Sequence, residues 1–368
     1  MNKITLVLAA LALNWSCKSV KQTHEATTTK ITTLKFIGEQ IIPENTYIDS
    51  VLVGGLSSID YAQGKYYAIC DDKNKPVRFY ELALDYDLGG FYNVLINKQI
   101  NINSKTKEVD PEALRFDSVT GHFIWTSEGS IRRGVSPAIF EINKNGDFVK
   151  EIPIASQFQA QKGKEKGPRQ NGTFECLSMT KDSDFIWIGM ELPLREDGEE
   201  PSLKKGKYPV RISKINKNTG EIVFQFVYEL DAIPKDSKPA GKFRVNGMPE
   251  ILALGNKQFL VIERAYASGY DDGGNTVKIF KVNAQNATDI KAIATLKSAN
   301  YSASTKALLL DFETIRPKLT NGIVDNIEGI TFGKKLANGH QSLIVISDDN
   351  FRKFSPQLSQ IIVFEVIP

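Results

Sequence analysis

Apolar and polar residues alternate in short runs along most of the chain, and the runs come in pairs. The leading runs begin Ser57-x-Ile59-x-Tyr61, Glu112-x-Leu114-x-Phe116, Glu175-x-Leu177-x-Met179, Glu250-x-Leu252-x-Leu254 and Glu328-x-Ile330-x-Phe332. A period of two marks a β-strand, whose side chains point to opposite faces in turn. After each comes a turn signal and a second run ending in acid: YYAICDD, FIWTSE, FIWIGME, FLVIE and LIVISDD. Residues that face each other across a hairpin are equidistant from its turn. Glu112 and Glu128 centre on residue 120 in DSVTGH, and Glu175 and Glu191 on 183 in KDSD. Glu250 and Glu263 centre in GNK, Glu328 and Asp348 on Asn338, and Ser57 and Asp71 on Gly64. Every midpoint falls in a turn, so each segment is expected to be a hairpin that brings its two acidic ends face to face.

A third apolar run follows each pair (VRFYEL, AIFEIN, RISKIN, KIFKV, IIVFEV), and a fourth is visible in DFVKEIPI and IVFQFVYEL. Recurring units of three to four strands that cannot bury their faces alone point to an all-β fold, a β-propeller. The count favours five blades, with six as the alternative if residues 298–325 hide a divergent one. STKALLLDFETIRPKL in that window has a helical pattern, which favours an insertion there. The last strand, Gln360 to Val366, lacks a following partner, whereas the early LKFIGEQII lacks a blade, so the two are expected to close the ring together.

The N-terminus departs from this pattern. Lys3 precedes the apolar stretch Ile4 to Leu13, too short to span a bilayer, and then Asn14-Trp15-Ser16-Cys17. This resembles an export signal ending in a bacterial lipoprotein cleavage box, with a lipid on Cys17 as the expected membrane anchor and simple cleavage as the alternative. The division expected is 1–17 signal, 18–32 tether and 33–368 propeller, in an exported, periplasmic or cell-surface monomer. Of the 3 cysteines, Cys70 and Cys176 sit in different repeats inside apolar strands and are expected to be small core residues. A net charge of only +3 with no long basic tract gives no nucleic-acid footprint.

Charge becomes informative at the hairpin ends. The first strand of each blade lines the central channel, so the leading acids are expected to converge on one mouth of it. Like charges facing each other across a strand pair are destabilising and call for shared protons or a cation. The expected ligands are Asp71, Asp72, Glu112, Glu175, Glu250, Glu328, Asp348 and Asp349. Oxygen donors without imidazole or thiolate suit Ca²⁺, with Mg²⁺ as the alternative. The 3 histidines do not supply a Ser-His-Asp triad: His24 lies in the tether, and His122 and His340 in hairpin turns, where they are expected to be solvated. Long polar loops add Arg132, Arg133, Arg169, Arg195, Arg244 and Arg264; Arg169 and Arg264, with Asn171 and Asn246, are the expected substrate contacts. Glu128, Glu191 and Glu263 are the expected proton acceptors.

DPEALRF…WTSEGS…PAIFEIN, GPRQNGTFECLSM…WIGMEL, NGMPEILAL…LVIERAY and NIEGITF…LIVISDDNF together resemble the phytase-like domain family, described as having esterase-like activity of phytase. The resemblance runs from about residue 50 to the end. It implies a propeller whose Glu and Asp residues form a phosphoesterase site acting on a small phosphate ester. Two positions depart from the pattern: Ser57 stands where Glu is expected, and Cys176 replaces the Gly expected after Glu175. The resulting expectation is an exported, metal-dependent phosphoesterase. The alternatives are a non-catalytic propeller that binds a protein or glycan around a structural cation, and a calcium-dependent lactone hydrolase.

Overall fold

The computed structural model describes residues 30–73, 76–104, 108–161, 163, 165–180, 184–352 and 357–368. The expected export signal, Cys17, His24, most of the expected tether and the tip of the third hairpin lie outside them. Five four-stranded antiparallel sheets follow one another along the chain. Blade 1 is Leu56–Ala62, Lys65–Cys70, Arg78–Tyr86 and Phe91–Asn101; blade 2 is Pro111–Asp117, His122–Ser127, Ala138–Ile142 and Phe148–Ile152. Blade 3 is Phe174–Met179, Phe185–Met190, Pro209–Asn216 and Ile222–Glu229; blade 4 is Arg244–Gly255, Gln258–Ala267, Asn275–Asn283 and Thr305–Asp311. Blade 5 takes Asn326–Lys335, Gln341–Asp348 and Ser359–Ile367 from the end of the chain and Thr33–Ile42 from its beginning, with Thr33 opposite Ile367. The ring is therefore a five-bladed propeller closed by the N-terminal strand.

Both faces of each blade are buried against neighbours, which is why the second strands read as continuous apolar runs. Five of the hydrophobic clusters each span one blade interface. Leu114, Phe123 and Trp125 meet Ile69 and Phe79 between blades 1 and 2, and Leu177 and Ile186 meet Ala113 and Ile124 between blades 2 and 3. The remaining clusters join blades 3 and 4, 4 and 5, and 5 and 1. Fully burying one such Ile, Leu or Phe contributes about 1.5–3 kcal/mol, so the ring holds without disulfides. Cys70 and Cys176 are free and buried, each with its thiol 3.0 Å from a backbone carbonyl.

Two local expectations are corrected. Residues 304–319 form no α-helix: Thr305–Asp311 is the outer strand of blade 4, followed by the short 3-10 helices Phe312–Thr314 and Arg316–Lys318. Strand pairing to Asn275–Asn283 overrides the local periodicity. His122 and His340 are only partly solvated, about a third exposed, with their Nδ1 atoms 2.6 Å from Glu141 and 2.7 Å from Glu365.

The channel is plugged. Arg115 of blade 2 forms an ion pair with Glu250 of blade 4 at 2.5 Å, both fully enclosed. The guanidinium also donates to Ser58 Oγ and the Ile59 carbonyl of blade 1 and to the Ile330 carbonyl of blade 5. Glu250 accepts from the Leu177 amide of blade 3 at 3.0 Å. One ion pair thus touches all five blades and forms a floor beneath the channel mouth.

Candidate active site

The geometry of the mouth follows from one irregularity repeated in every blade. Pairing between the first two strands slips by one residue just where the leading run begins: between Leu56 and Ser58, Pro111 and Leu114, Phe174 and Cys176, Gly247 and Glu250, and Ile327 and Gly329. A β-bulge inserts an unpaired residue and re-aims its side chain. The first residue after each slip is Ser57, Glu112, Glu175, Met248 and Glu328. Four of the five leading residues named from sequence occupy this position, whereas Glu250 does not.

The bulge also corrects the facing pairs. Asp348 lies opposite Asn326, not Glu328. The Glu128 amide bonds to the Asp110 carbonyl at 2.8 Å and the Glu191 amide to that of Thr173 at 2.9 Å, so each trailing acid meets the residue two before the bulge. In blade 4 the equivalent facing pair is Asn246 and Ala265. Because side chains alternate along a strand, the offset sends Glu250 down into the axial plug and turns Glu263 away. Glu263 binds Tyr228 and Lys306 at 2.5 Å each, stitching blade 4 to blade 3. Blade 4 contributes Arg264 to the mouth instead.

The carboxylates gathered around one cavity of about 590 Å³ are Asp71, Asp110, Glu112, Glu128, Glu175, Glu191, Glu328 and Asp348, with Lys73, Arg264 and Asn171. Asp110, Glu112, Glu128, Glu191, Glu328 and Asp348 are all buried. Single oxygens of Asp71, Asp110 and Glu112 lie within 4.8 Å of one another, as do those of Glu112, Glu128 and Glu175. Glu112 belongs to both groups. Ca²⁺ takes oxygen ligands at about 2.3–2.6 Å, so ligands on opposite sides of one ion are about 5 Å apart. The spacing, the all-oxygen donor set and the buried Oδ1 atoms of Asp71 and Asp110, which have no hydrogen-bond partner, fit a hard cation.

Cations on the protein offset only part of this charge. Lys73 is 2.6 Å from Asp110, and Arg264 is 2.9 Å from Glu328 and 3.5 Å from Glu191. Burial, then the neighbouring Glu175 and Asp71 charges, raise the Glu112 carboxyl well above its ordinary range. Glu175 is raised by burial and by Glu128 and Glu191, and Asp348 by burial and Glu328. Glu128 is pushed up to about 8 by burial, against the amides of Thr173 and Gly172 that donate to it. Glu191 is pushed up to about 7 by burial, with Arg264 opposing. Gly247 lets Glu191 approach blade 4, since a Cβ there would overlap the Glu191 carboxylate.

The other expected site residues lie elsewhere. Asp72 pairs with Arg78 at 3.1 Å, and Asp349 accepts from the Gly55 amide and Ser359, joining blade 5 to blade 1. Asn246 donates to the Asp231 carbonyl and to Glu263. Arg169 fastens a loop through the Pro193 and Gly198 carbonyls and Glu200. Asp110 and Lys73 also line the mouth without having been expected in it, and Asn326, just before the leading Glu328, lines it too. The signal for Asp110 and Asn326 lies in the alignment of Asp110-x-Glu112, Asn326-x-Glu328 and Asn246-x-Met248, which also aligns blade 4 correctly.

Among solved structures the chain is similar to a thermostable family-43 glycoside hydrolase, with 10% identity, a TM-score of 0.48, and 88% of this chain and 93% of that one covered. It is also similar to the GH43 endo-arabinanase from Bacillus licheniformis, with 12% identity, a TM-score of 0.40, and 84% and 92% covered. A third similar structure is the Dos1 propeller, with 9% identity, a TM-score of 0.30, and 84% and 68% covered. No curated protein matches the sequence. The family model for esterase-like activity of phytase matches residues 51–351, which include the first two strands of every blade and all the mouth carboxylates, and the chain therefore belongs to the phytase-like family.

Proposed function

We propose that this protein is a divalent-cation-dependent hydrolase of phosphate esters, acting at the channel mouth. The observation that carries the reading is the position of Glu112 in two adjoining carboxylate groups, Asp71 and Asp110 on one side and Glu128 and Glu175 on the other. Asp71, Asp110, Glu112, Glu128 and Glu175 would hold the divalent cation, Ca²⁺ or Mg²⁺. Bound there, cations would polarise a phosphoryl oxygen and lower the pKa of water.

The remaining groups have roles set by their surroundings. Glu191 is raised to about 7 and projects into the cavity beside Arg264, so near neutral pH it can accept a proton and later return it. Arg264 is poised between Glu191 and Glu328 and can counter charge developing on the phosphoryl oxygens. Asn326 donates to Glu328 at 2.8 Å and holds that carboxylate on Arg264. The plug of Arg115 and Glu250 keeps the site open from one side only. The N-terminal pattern supports export and a lipid on Cys17, which would present this mouth outside the cytoplasm.

The test is hydrolysis of phosphomonoesters and phosphodiesters with Ca²⁺, Mg²⁺ or chelator. Turnover that needs the cation and falls at least a hundredfold in Glu191→Gln is expected. Calcium-dependent melting with no turnover of any ester would assign the cations to structure and refute the reading.

A further inference from the structure

The first hairpin of blade 4 continues further beyond its bulge than those of the other blades, pairing Val245 with Tyr266 and Arg244 with Ala267. Alternate residues of a strand share a face, so Arg264 and Tyr266 point the same way, as do Phe243 and Val245 on the neighbouring strand. That face lines the cavity. It carries the Phe243 and Tyr266 rings 5.9 Å apart, and Phe243 is 67% exposed. The carboxylate cluster lines the same cavity.

Asn275, cross-strand partner of Tyr266, lines the same end of the cavity. It is 1% exposed, and its Nδ2 donates to the Gly273 carbonyl at 3.2 Å, which fixes the amide orientation. Its Oδ1 is buried without a hydrogen-bond partner. A buried, unpaired acceptor beside an exposed and a half-buried ring matches a ligand with a flat apolar face and a donor at its edge. Among the described lining residues the only cations are Lys73 and Arg264, both already paired with carboxylates. Even with divalent cations at the carboxylate cluster, the eight carboxylates of the same lining leave little net positive charge for a polyphosphate.

We propose that the alcohol portion of the substrate is a hydroxylated ring that lies on the Phe243–Tyr266 wall and donates a hydroxyl hydrogen bond to Asn275 Oδ1, its single phosphate reaching the carboxylate end. The proposal rests on the phosphoesterase reading above and specifies its substrate. A sugar ring and a substituted phenol share this chemistry.

The experiment compares kcat/KM for glucose 1-phosphate, phenyl phosphate, glycerol 1-phosphate and myo-inositol hexakisphosphate. Both ring monoesters are expected to exceed glycerol 1-phosphate by at least tenfold, and that ratio is expected to collapse in Phe243→Ala. Asn275→Ala is expected to cost glucose 1-phosphate about tenfold and phenyl phosphate, which has no hydroxyl, much less. Equal rates for ring and glycerol esters, or fastest turnover of the hexakisphosphate, would overturn the proposal. Saturation-transfer NMR with glucose 1-phosphate and phenyl phosphate separates this claim from catalysis. Ring protons saturated in the natural protein and not in Phe243→Ala support the wall even if no ester is hydrolysed, and absence of transfer to either ring refutes it.

Discussion

Raising the pH of the cation-free protein is expected to lower its melting temperature, and calcium is expected to reverse the loss. The perturbation acts on carboxyls whose protons are held more tightly in the folded state than in the unfolded one. Burial pushes Glu128 from 4.5 up to about 8 and Glu191 from 4.5 up to about 7. A raised folded-state pKa contributes stability that is fully present below the unfolded value and is lost as pH rises through the folded value. The window therefore runs from about pH 4.5 to about pH 8. At 1.36 kcal/mol per unit, ionising Glu128 costs about 5 kcal/mol and Glu191 about 3 kcal/mol. For a chain of this size the two correspond to a fall in Tm on the order of 10 °C. Glu112, Glu175 and Asp348 are shifted in the same direction and deepen it. A cation replaces the protons: at 100 times its Kd it adds about 2.7 kcal/mol and flattens the pH profile. Scanning calorimetry at several pH values, in chelator and in excess calcium, measures both effects. A cation-free Tm that stays level or rises over the window, or a Tm at the alkaline end that ignores calcium, would refute the picture of a crowded carboxylate mouth.

Three further outcomes follow from individual contacts. Glu175→Gln removes one oxygen of the Glu112–Glu128–Glu175 group and is expected to weaken calcium binding at least tenfold by calorimetry, with an unchanged circular dichroism spectrum. Arg115→Met leaves Glu250 buried without its partner and should cost about 3–5 kcal/mol in denaturant unfolding, much of it recovered in Arg115→Met with Glu250→Leu. Arg264→Ala removes the charge that opposes the rise at Glu191, so the acidic limb of the pH–rate profile should move upward while kcat/KM falls by about 10²–10³.

The repeat, the all-β class and the closing of the ring by the first and last strands were legible in the sequence. Period-two runs and turn residues are local properties, and strands with two buried faces must be apolar along their length. FIWIGM and LIVISD announce blade cores for that reason. The presence of acids at the hairpin ends was legible as well. Their partners were decided by tertiary structure, because the bulge adds a residue without changing the period on either side of it. Glu112, Glu175 and Glu328 fall in the bulge and reach the cavity, whereas Glu250, two residues beyond the equivalent Met248, becomes the counter-charge to Arg115 in the plug. The same limit applies to residues 304–319, where a helical pattern in isolation became the outer strand of blade 4 once Asn275–Asn283 offered an edge. The sequence alone thus determined the all-β class and the inner hairpins of each blade and favoured five blades over six, since burial writes itself into residue type. Only the assembled ring decided which carboxylates share one cavity, since that depends on a single-residue slip and on distances between blades far apart along the chain.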